Sequence, residues 1–321
     1  MLFIAFSPAI NRFSMQITTT KQSRNEVFME RMIDLHVHST ESDGTLSPQE
    51  LVLAAKAAGL SAFALTDHDT VSGIAKAAPY AAQYGIELIP GIELSTEYVL
   101  PTAAAQRKEI HIVGLFIDTA NPLLLSKAKE FQDCRMLRNQ QMIEALQKEG
   151  FDITMEAVAA ENPTSVITRA NIARYLYEHG EAASVKEVFE KYIGDGCKCY
   201  VGRFKITPME AVSLIHAAGG VAVLAHPVLY RLNAEILQGL LDELKPFGLD
   251  AIEAVYATYT AGEERLMRKL AADNGLLISG GSDFHGANKP SIRIGVGRGG
   301  LCIPYEILEA LRNARPAVPQ E

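Results

Sequence analysis

The sequence predicts an α/β fold in which seven strand-helix units close into a barrel and a helical subdomain is inserted between two of them. Three observations predict it. From Met32 onward, short apolar runs alternate with amphipathic helical segments, the signature of a parallel sheet with crossover helices. There are seven such runs, which suits a barrel better than an open sheet: Ile33 to His36, Ala62 to Thr66, Glu87 to Glu93, Ile110 to Ile117, Val221 to Ala225, Ala251 to Val255 and Leu276 to Ser279. Between Ile117 and about Lys205 that rhythm stops and only helical patterns remain. The chain therefore divides into a poorly ordered extension (1–31), a barrel (32–118 and 206–300), a helical insertion (119–205), and a C-terminal helix and tail (301–321).

The helices carry their own punctuation. Ser47, Pro48 and Glu50 form a capping box with proline at the first helical position, and Gly59 stops that helix. Thr207, Pro208 and Glu210 repeat the device ahead of Gly219 and Gly220. In the insertion, helices are expected at Leu123 to Glu149, Met155 to Ala160, Arg169 to His179 and Val185 to Tyr192. An insertion that follows a strand's C-terminal end projects over the barrel mouth, where parallel α/β proteins bind ligands, so this one is a candidate lid.

Composition excludes several classes. With 48% hydrophobic and 21% charged residues in 321, a disordered or fibrous chain is ruled out. A net charge of −8 gives the surface no general attraction for a polyanion, so duplex DNA is not an expected partner. No apolar run approaches the roughly 20 residues needed to span a bilayer, and no membrane partner is expected. The apolar start MLFIAFSPAI lacks the basic leader of a signal peptide. Cys134, Cys197, Cys199 and Cys302 show no paired CxxC spacing, which reads as reduced thiols in a cytoplasmic protein.

The chemistry sits at the strand ends. His36 and His38, two apart in DLHVHS, place two imidazoles side by side. Asp43 follows in ESDG; the second strand runs into Asp67, His68 and Asp69; Glu93 ends the third; His111 opens the fourth; His226 ends the fifth; Asp283 and His285 follow the seventh. Six of the eight histidines thus accompany strand ends, while His179 and His216 fall within helices and are assigned to packing. Nitrogen and oxygen donors without thiolate favour Mn, Fe, Zn or Mg. Nine candidate ligands exceed what one catalytic ion uses, so two or three divalent metal ions are implied. Three such ions would outweigh the negative charge of Asp43, Glu93 and Asp283, which argues for an anionic substrate.

At this point the sequence resembles the PHP (polymerase and histidinol phosphatase-like) family of phosphoesterases. The resemblance is carried by DLHVHS with SDG, TDHD, GIE, HIVG, AHP and GSDFHG, in order from Asp34 to Gly286. It implies a distorted (β/α)7 PHP barrel. It implies one ion on His36, His38, Glu93 and Asp283, a second bridged by Glu93 to His111 and His226, and a third on Asp43, His68 and His285, with Mn the first choice of metal. Asp67 and Asp69 are implied to orient ligating imidazoles. The insertion, with TRANIAR and a following CYV, is similar to the subgroup acting on nucleotides. That implies 3',5'-nucleoside bisphosphates as substrate, with short RNA bearing a 5' phosphate as a second substrate in 5'-to-3' exoribonuclease action. Thr168 caps a helix that begins at Arg169, a seat for phosphate.

The subgroup often shows glycine-lysine directly ahead of tyrosine-valine, whereas here Lys198 is displaced by one within Gly196 to Val201. Lys198 and Arg203 are the candidate substrate contacts beside Arg169, with Lys205 as a substitute. Asp43, His68, His285 and Arg169 are the expected catalytic group, acting by attack of hydroxide on a phosphorus whose oxygens the ions clamp. The rivals are a histidinol-phosphate phosphatase, which the nucleotide-type insertion argues against, and an amidohydrolase, whose bridging lysine late in a strand is missing here. A third is a non-catalytic metal-binding PHP module, although no ligand position is lost.

Overall fold

A computed structural model describes residues 31–102, 105–163, 166–202 and 205–315. The expected N-terminal extension, apart from Arg31, lies outside the described residues, as do Arg203 and the end of the C-terminal tail. Residues Arg31–Glu321 form one compact unit. Strand β1 (Ile33–Val37), helix α1 (Pro48–Ala57), β2 (Ala62–Leu65), α2 (Ser72–Tyr84), β3 (Glu87–Val99) and β4 (Arg107–Leu115) open the fold. The insertion follows as α3 (Pro122–Lys148), α4 (Met155–Glu161), α5 (Arg169–Glu178) and α6 (Val185–Val188). Then come α7 (Pro208–Ala217), β5 (Val221–Leu224), α8 (Ala234–Leu244), β6 (Ala251–Tyr256), α9 (Ala261–Asp273), β7 (Leu277–Gly281) and α10 (Tyr305–Asn313). Among the described residues no helix is long and apolar enough to cross a membrane.

The seven strands lie in one sheet in sequence order. Just past β7 the sheet bends back onto β1: the His38 N–H donates to the Phe284 carbonyl (3.0 Å) and the Asp283 N–H to the His36 carbonyl (2.8 Å). Both expected capping boxes form, with Ser47 and Thr207 each exchanging hydrogen bonds with the glutamate three residues on. The strands alternate faces as their period requires. Ala62, Ala64, Val113, Val223 and Ala251 share one cluster with Leu308 and Leu311 of α10. Their neighbours Phe63, Leu65, Ile112, Leu224 and Ile252 pack under the crossover helices with Leu51, Ile74, Ile215 and Leu241.

One expectation is corrected. The sheet is not parallel throughout: β4 runs antiparallel to both β3 and β5. Residues after Glu93 continue as strand to Val99, and the seven residues from there to Arg107 are too few for a helical crossover, which takes a dozen or more. A hairpin is the remaining solution, and the Leu100 N–H to Gln106 carbonyl bond (2.8 Å) closes it.

The reversal redirects the insertion. Leu115 pairs with Val221, the first residue of β5, so β4 ends at the opposite end of the barrel from the histidines. The insertion therefore does not leave from the mouth. It returns there along α3, whose 27 residues span roughly 40 Å at 1.5 Å per residue. Near its start Asn121 Nδ2 donates to the Ala217 carbonyl (2.9 Å) and Leu124 is buried against the barrel. Midway Arg135 meets Asp69, just past β2 (2.6 Å). Beyond that the insertion has its own core of Met142, Leu146, Val158, Ile172, Leu176 and Val188. Its last expected helix widens into a π turn over Phe189–Ile193 instead of running on as α-helix.

Close packing holds α7 on the sheet where the chain re-enters the barrel. A Cβ built on Gly114 would lie 2.8 Å from Cγ1 of Ile215, which is fully buried. Gly114→Ala is therefore expected to lose about 1–3 kcal/mol of stability through overpacking. Urea unfolding measures this, and a variant as stable as the parent would show that α7 can move away freely.

Candidate metal centre

The site is built from the strand ends inward. His36 lies in β1 and His38 just past it, with a register shift between Asp34 and Val37; the two rings sit 5.1 Å apart. The following turn doubles back because Gly44 has no side chain: a Cβ there would stand 2.3 Å from the His38 carbonyl oxygen. That brings Asp43 within 3.8 Å of His38 Nδ1. His68 follows β2 and pairs as a parallel bridge with Glu93. His111 lies within β4, not at its start, and faces Ser95 of β3; because β4 is reversed, its first half reaches the same end of the barrel as the C-termini of its neighbours. His226 and Asp283 follow β5 and β7 with left-handed backbones, φ 29° and 54°.

All nine expected ligands converge. Glu93 is the hub: its Oε2 lies 3.2 Å from His36 Nε2, 3.3 Å from His38 Nε2 and 3.1 Å from His68 Nδ1, and its Oε1 lies 2.9 Å from His111 Nδ1 and 3.0 Å from His226 Nε2. Asp283 Oδ1 stands 3.3 Å from both His38 Nε2 and His285 Nδ1, and Asp43 Oδ1 stands 3.2 Å from His285 Nε2. Donor atoms close enough to share an ion form four overlapping groups: His38, Asp43, His68 and His285; His36, Glu93 and His226; His36, His38 and Asp283; His68, Glu93 and His111. Compared with the expected grouping, His38 also reaches the Asp43 set and His68 also reaches the Glu93 and His111 set.

Divalent ions fit this donor set. Buried side-chain atoms of His36 (Nε2), His38 (Nδ1, Nε2), Asp43 (Oδ1), His68 (Nδ1), Glu93 (Oε2) and His226 (Nδ1) have no hydrogen-bond partner. Each unmatched buried polar atom costs about 1–3 kcal/mol. A cation among them satisfies several at once, and all are the nitrogen or oxygen donors that Mn, Fe, Zn or Mg accept.

The electrostatics are those of acids and imidazoles pressed together. Burial pushes the Glu93 and Asp43 carboxyls up, but His68, His36 and His111 around the first and His285 and His68 around the second hold both well below the usual range. Burial pulls His38 down, yet Asp283 and Glu93 raise it to about 9; Glu93 and Glu109 likewise carry His111 to about 10. His36 rises well above its ordinary value on Glu93, Glu253 and Asp283. His68 goes the other way, to about 3, because burial outweighs the pull of Glu93 and Asp43 and neighbouring imidazoles oppose its charge.

The residues around the ligands differ from expectation. Asp67 accepts the Ser39 N–H, the Ser39 hydroxyl and the Ser42 hydroxyl (2.7 Å each), so it braces the turn leading to Asp43 and not an imidazole. Asp69 accepts the Ser95 N–H (3.0 Å) and Arg135. The groups that do meet the imidazoles are Glu253 on His36 Nδ1 (3.0 Å), Glu109 on His111 Nε2 (3.3 Å) and the Asp283 carbonyl on His285 Nδ1 (2.9 Å). Tyr256 (2.5 Å) and Lys289 (2.6 Å) both donate to Asp283 Oδ2. None of Glu253, Glu109, Tyr256 or Lys289 is part of the sequence-based site. Only Glu253 left a usable signal, as a single acid inside an apolar strand.

A cavity opens from the centre toward the insertion. Asp43, His68 and His111 line it together with Glu97 and Glu109, and Arg135, Arg138, Arg169 and Lys205 also border it. Arg169 begins α5 with Thr168 and Ala170 beside it, so the positive end of that helix faces the cavity. Its guanidinium pairs with Asp195 (2.9 Å). The Thr168 hydroxyl and N–H both donate to Asn171 Oδ1 (2.7 and 2.9 Å). Lys198 does not line the cavity. Its neighbour Cys199 is buried in the insertion core, so Lys198 projects the other way, onto Glu149.

Comparison with known proteins agrees with this geometry. The PHP domain pattern matches residues 34–226. The chain is 36% identical over 257 residues to a 5'-3' exoribonuclease of Haemophilus influenzae, covering 80% of this chain and 91% of that protein. It is equally similar, 36% over 257 residues, to a 3',5'-nucleoside bisphosphate phosphatase of Chromobacterium violaceum, covering 79% and 87%. The crystal structure of a putative metal-dependent phosphoesterase from Bifidobacterium adolescentis superposes with a TM-score of 0.75 at 27% identity, covering 90% of this chain and 98% of that one.

The raised imidazoles set the pH dependence of ion uptake. Without ions, His38 and His111 hold protons up to about pH 9 and 10, so at neutral pH an incoming cation must displace them. Lower pH strengthens the proton's competition. The apparent Mn²⁺ affinity of stripped protein is therefore expected to fall by about tenfold or more per pH unit between pH 8 and 6. Calorimetric titration at several pH values checks this; a pH-independent affinity would contradict the protonation states described.

Proposed function

The chain belongs to the PHP family, and from that membership we propose that it is a metal-dependent phosphoesterase of nucleotides that carry a second phosphate. The substrates we assign are 3',5'-nucleoside bisphosphates and, by the same recognition, short RNA with a 5' phosphate. One observation carries the reading: a single cavity is lined both by Asp43, His68 and His111 of the metal centre and by Arg135, Arg138, Arg169 and Lys205, the last paired with Glu109 (2.7 Å). Ligand residues and cationic side chains in one cavity suit a substrate with two phosphates, one for hydrolysis and one for anchoring. The names of the exoribonuclease and bisphosphatase relatives support both halves of the assignment.

His36, His38, Glu93 and Asp283, Glu93 with His111 and His226, and Asp43 with His68 and His285 would hold two or three divalent ions, Mn²⁺ first among Mn, Fe, Zn and Mg. Bound there, the ions supply positive charge to the phosphate oxygens and make a water molecule acidic enough to attack phosphorus at neutral pH. The chain's own groups do the rest. Asp43, ionised and facing the cavity, accepts a hydrogen bond from the attacking water and orients it. His68 stays neutral at physiological pH and keeps a lone pair to offer. Arg169 and the N-terminus of α5 hold the distal phosphate, with Arg138 and Lys205 adding charge. Substrate specificity thus resides in the insertion and bond cleavage in the barrel.

The thiols are free, which supports a reducing, cytoplasmic setting. Arg169→Ala is expected to raise KM for a 3',5'-bisphosphate by about 10- to 100-fold, the worth of a charge-assisted hydrogen bond, while hydrolysis of p-nitrophenyl phosphate stays close to the parent value. Equal losses on both substrates, or none, would contradict the anchoring role. Asp43→Asn should lower kcat by at least about a hundredfold with an unchanged circular dichroism spectrum. Stripping with a chelator should abolish turnover and Mn²⁺ should restore it; ion uptake without turnover on any phosphate ester would instead mark a non-catalytic module.

A further inference from the structure

β6 is buried along its whole length and apolar but for Glu253 and the hydroxyl of Tyr256. Glu253 is 2% exposed. A carboxylate in that setting needs partners for both oxygens, and it has them: Oε1 meets His36 Nδ1 at 3.0 Å, and Oε2 accepts the backbone N–H of His226 at 2.7 Å. Two local features serve the contact. The ladder shifts register between Glu253 and Val255. On the neighbouring strand Gly281 leaves room, since a Cβ there would stand 2.2 Å from the His36 Cβ and 3.0 Å from Glu253 Oε1.

We propose that Glu253 is a positioning residue that sets two metal ligands with one carboxylate, His36 and His226, whose donor atoms lie close enough, together with Glu93, to share an ion. The inference rests on the metal-centre reading above. Facing an acceptor, His36 keeps its hydrogen on Nδ1, which turns Nε2 toward Glu93 Oε2 (3.2 Å) with its lone pair free for a cation. At His226 the contact works on the main chain. That residue holds a left-handed φ of 29°, unfavourable for a side-chain-bearing residue, and its Nε2 must still reach Glu93 Oε1 (3.0 Å). Anchoring its N–H keeps the turn in that conformation.

Glutamine fills the same space but offers one acceptor oxygen. If that oxygen serves the His226 N–H, the amide NH₂ faces His36 Nδ1 and drives the hydrogen onto Nε2, where it blocks a cation. If the amide is flipped, the NH₂ confronts the His226 N–H. One ligand is compromised either way, and an aspartate, shorter by one methylene, cannot span both partners.

The test is Mn²⁺ binding by calorimetry, with bound metal counted by elemental analysis, on the full-length parent, Glu253→Gln and Glu253→Asp. The expected result is a loss of about 10- to 100-fold in affinity for the ions on the His36 and His226 sides, with the ion of the Asp43, His68 and His285 set retained and metal content per chain reduced. A purely structural role would lower the thermal midpoint and leave the affinity of folded protein unchanged. Should Glu253→Gln not fold, Glu253→Asp, which keeps the charge, carries the measurement. Normal ion uptake by the parent together with parent-like affinity and stoichiometry in a folded variant would overturn this assignment alone; a parent that takes up no ion would overturn the metal-centre reading as well.

Discussion

Everything at the barrel mouth is arranged around one buried carboxylate. Glu93 has five imidazole nitrogens within 3.3 Å of its two oxygens, contributed by residues after or within β1, β2, β4 and β5. Removing a carboxylate and that many polar rings from water is costly unless charge or hydrogen bonds replace the lost hydration. The orphaned nitrogens and oxygens around it show that side chains alone do not complete the replacement. A cluster of this kind is suited to receive cations, and its geometry demands that the strands present their ligands at one level.

That demand explains the one departure from a regular parallel barrel. If β4 ran with its neighbours, the residue opposite Ser95 would arrive from the other direction, after a crossover for which the chain has no length. The hairpin instead lays His111 across from Ser95, two residues past Glu93, where Nδ1 reaches the hub. The same reversal places the start of the insertion at the far end of the barrel. The long α3 is the structural answer: it carries the chain back to the mouth and delivers Arg135 and Arg138, one turn apart, to the cavity. The metal-ligand cluster and the cationic side chains of α3 are thus brought together by the reversal of one strand.

How much of this was legible in the sequence follows from which physical signals are local. The seven strands and the nine converging side chains were readable because apolar runs end in histidine and acid, a pattern confined to a few residues each. The reversal of β4 was not, because GIE looks like a strand end; only the continuation LSTEYV shows that too little chain remains for a crossover. The position of Lys198 is not legible because the sequence does not reveal which side of the turn Cys199 takes; Cys199 goes to the core and Lys198 to Glu149. Arg135 and Arg138 lie in a helix rich in charge, so nothing distinguishes them from its solvated face. Glu253 is visible as an acid in AIEAVY, but it belongs to no histidine motif and so carries no ligand signature of its own.

Backbone strain points to the same centre by an independent route. Among the described residues, six other than glycine have positive φ, and three of them, Asp69, His226 and Asp283, lie within four residues of the ends of strands that feed the site; Ala105, Phe116 and Arg231 lie elsewhere. Such conformations are uncommon away from glycine and persist where surrounding contacts over-determine them. Here the contacts are identifiable: Asp69 is tied to the Ser95 N–H and Arg135, the His226 N–H to Glu253, and Asp283 to Tyr256 and Lys289. For the two that are candidate ligands, the securing atoms differ from those offered to the cluster: the His226 N–H and Asp283 Oδ2, against His226 Nε2 and Asp283 Oδ1. Ligand direction, set by strain and held by neighbouring polar groups, is therefore a property of the ion-free fold. The centre is preorganised for cations before any arrive, which is the condition under which binding energy goes into the reaction instead of into ordering the protein.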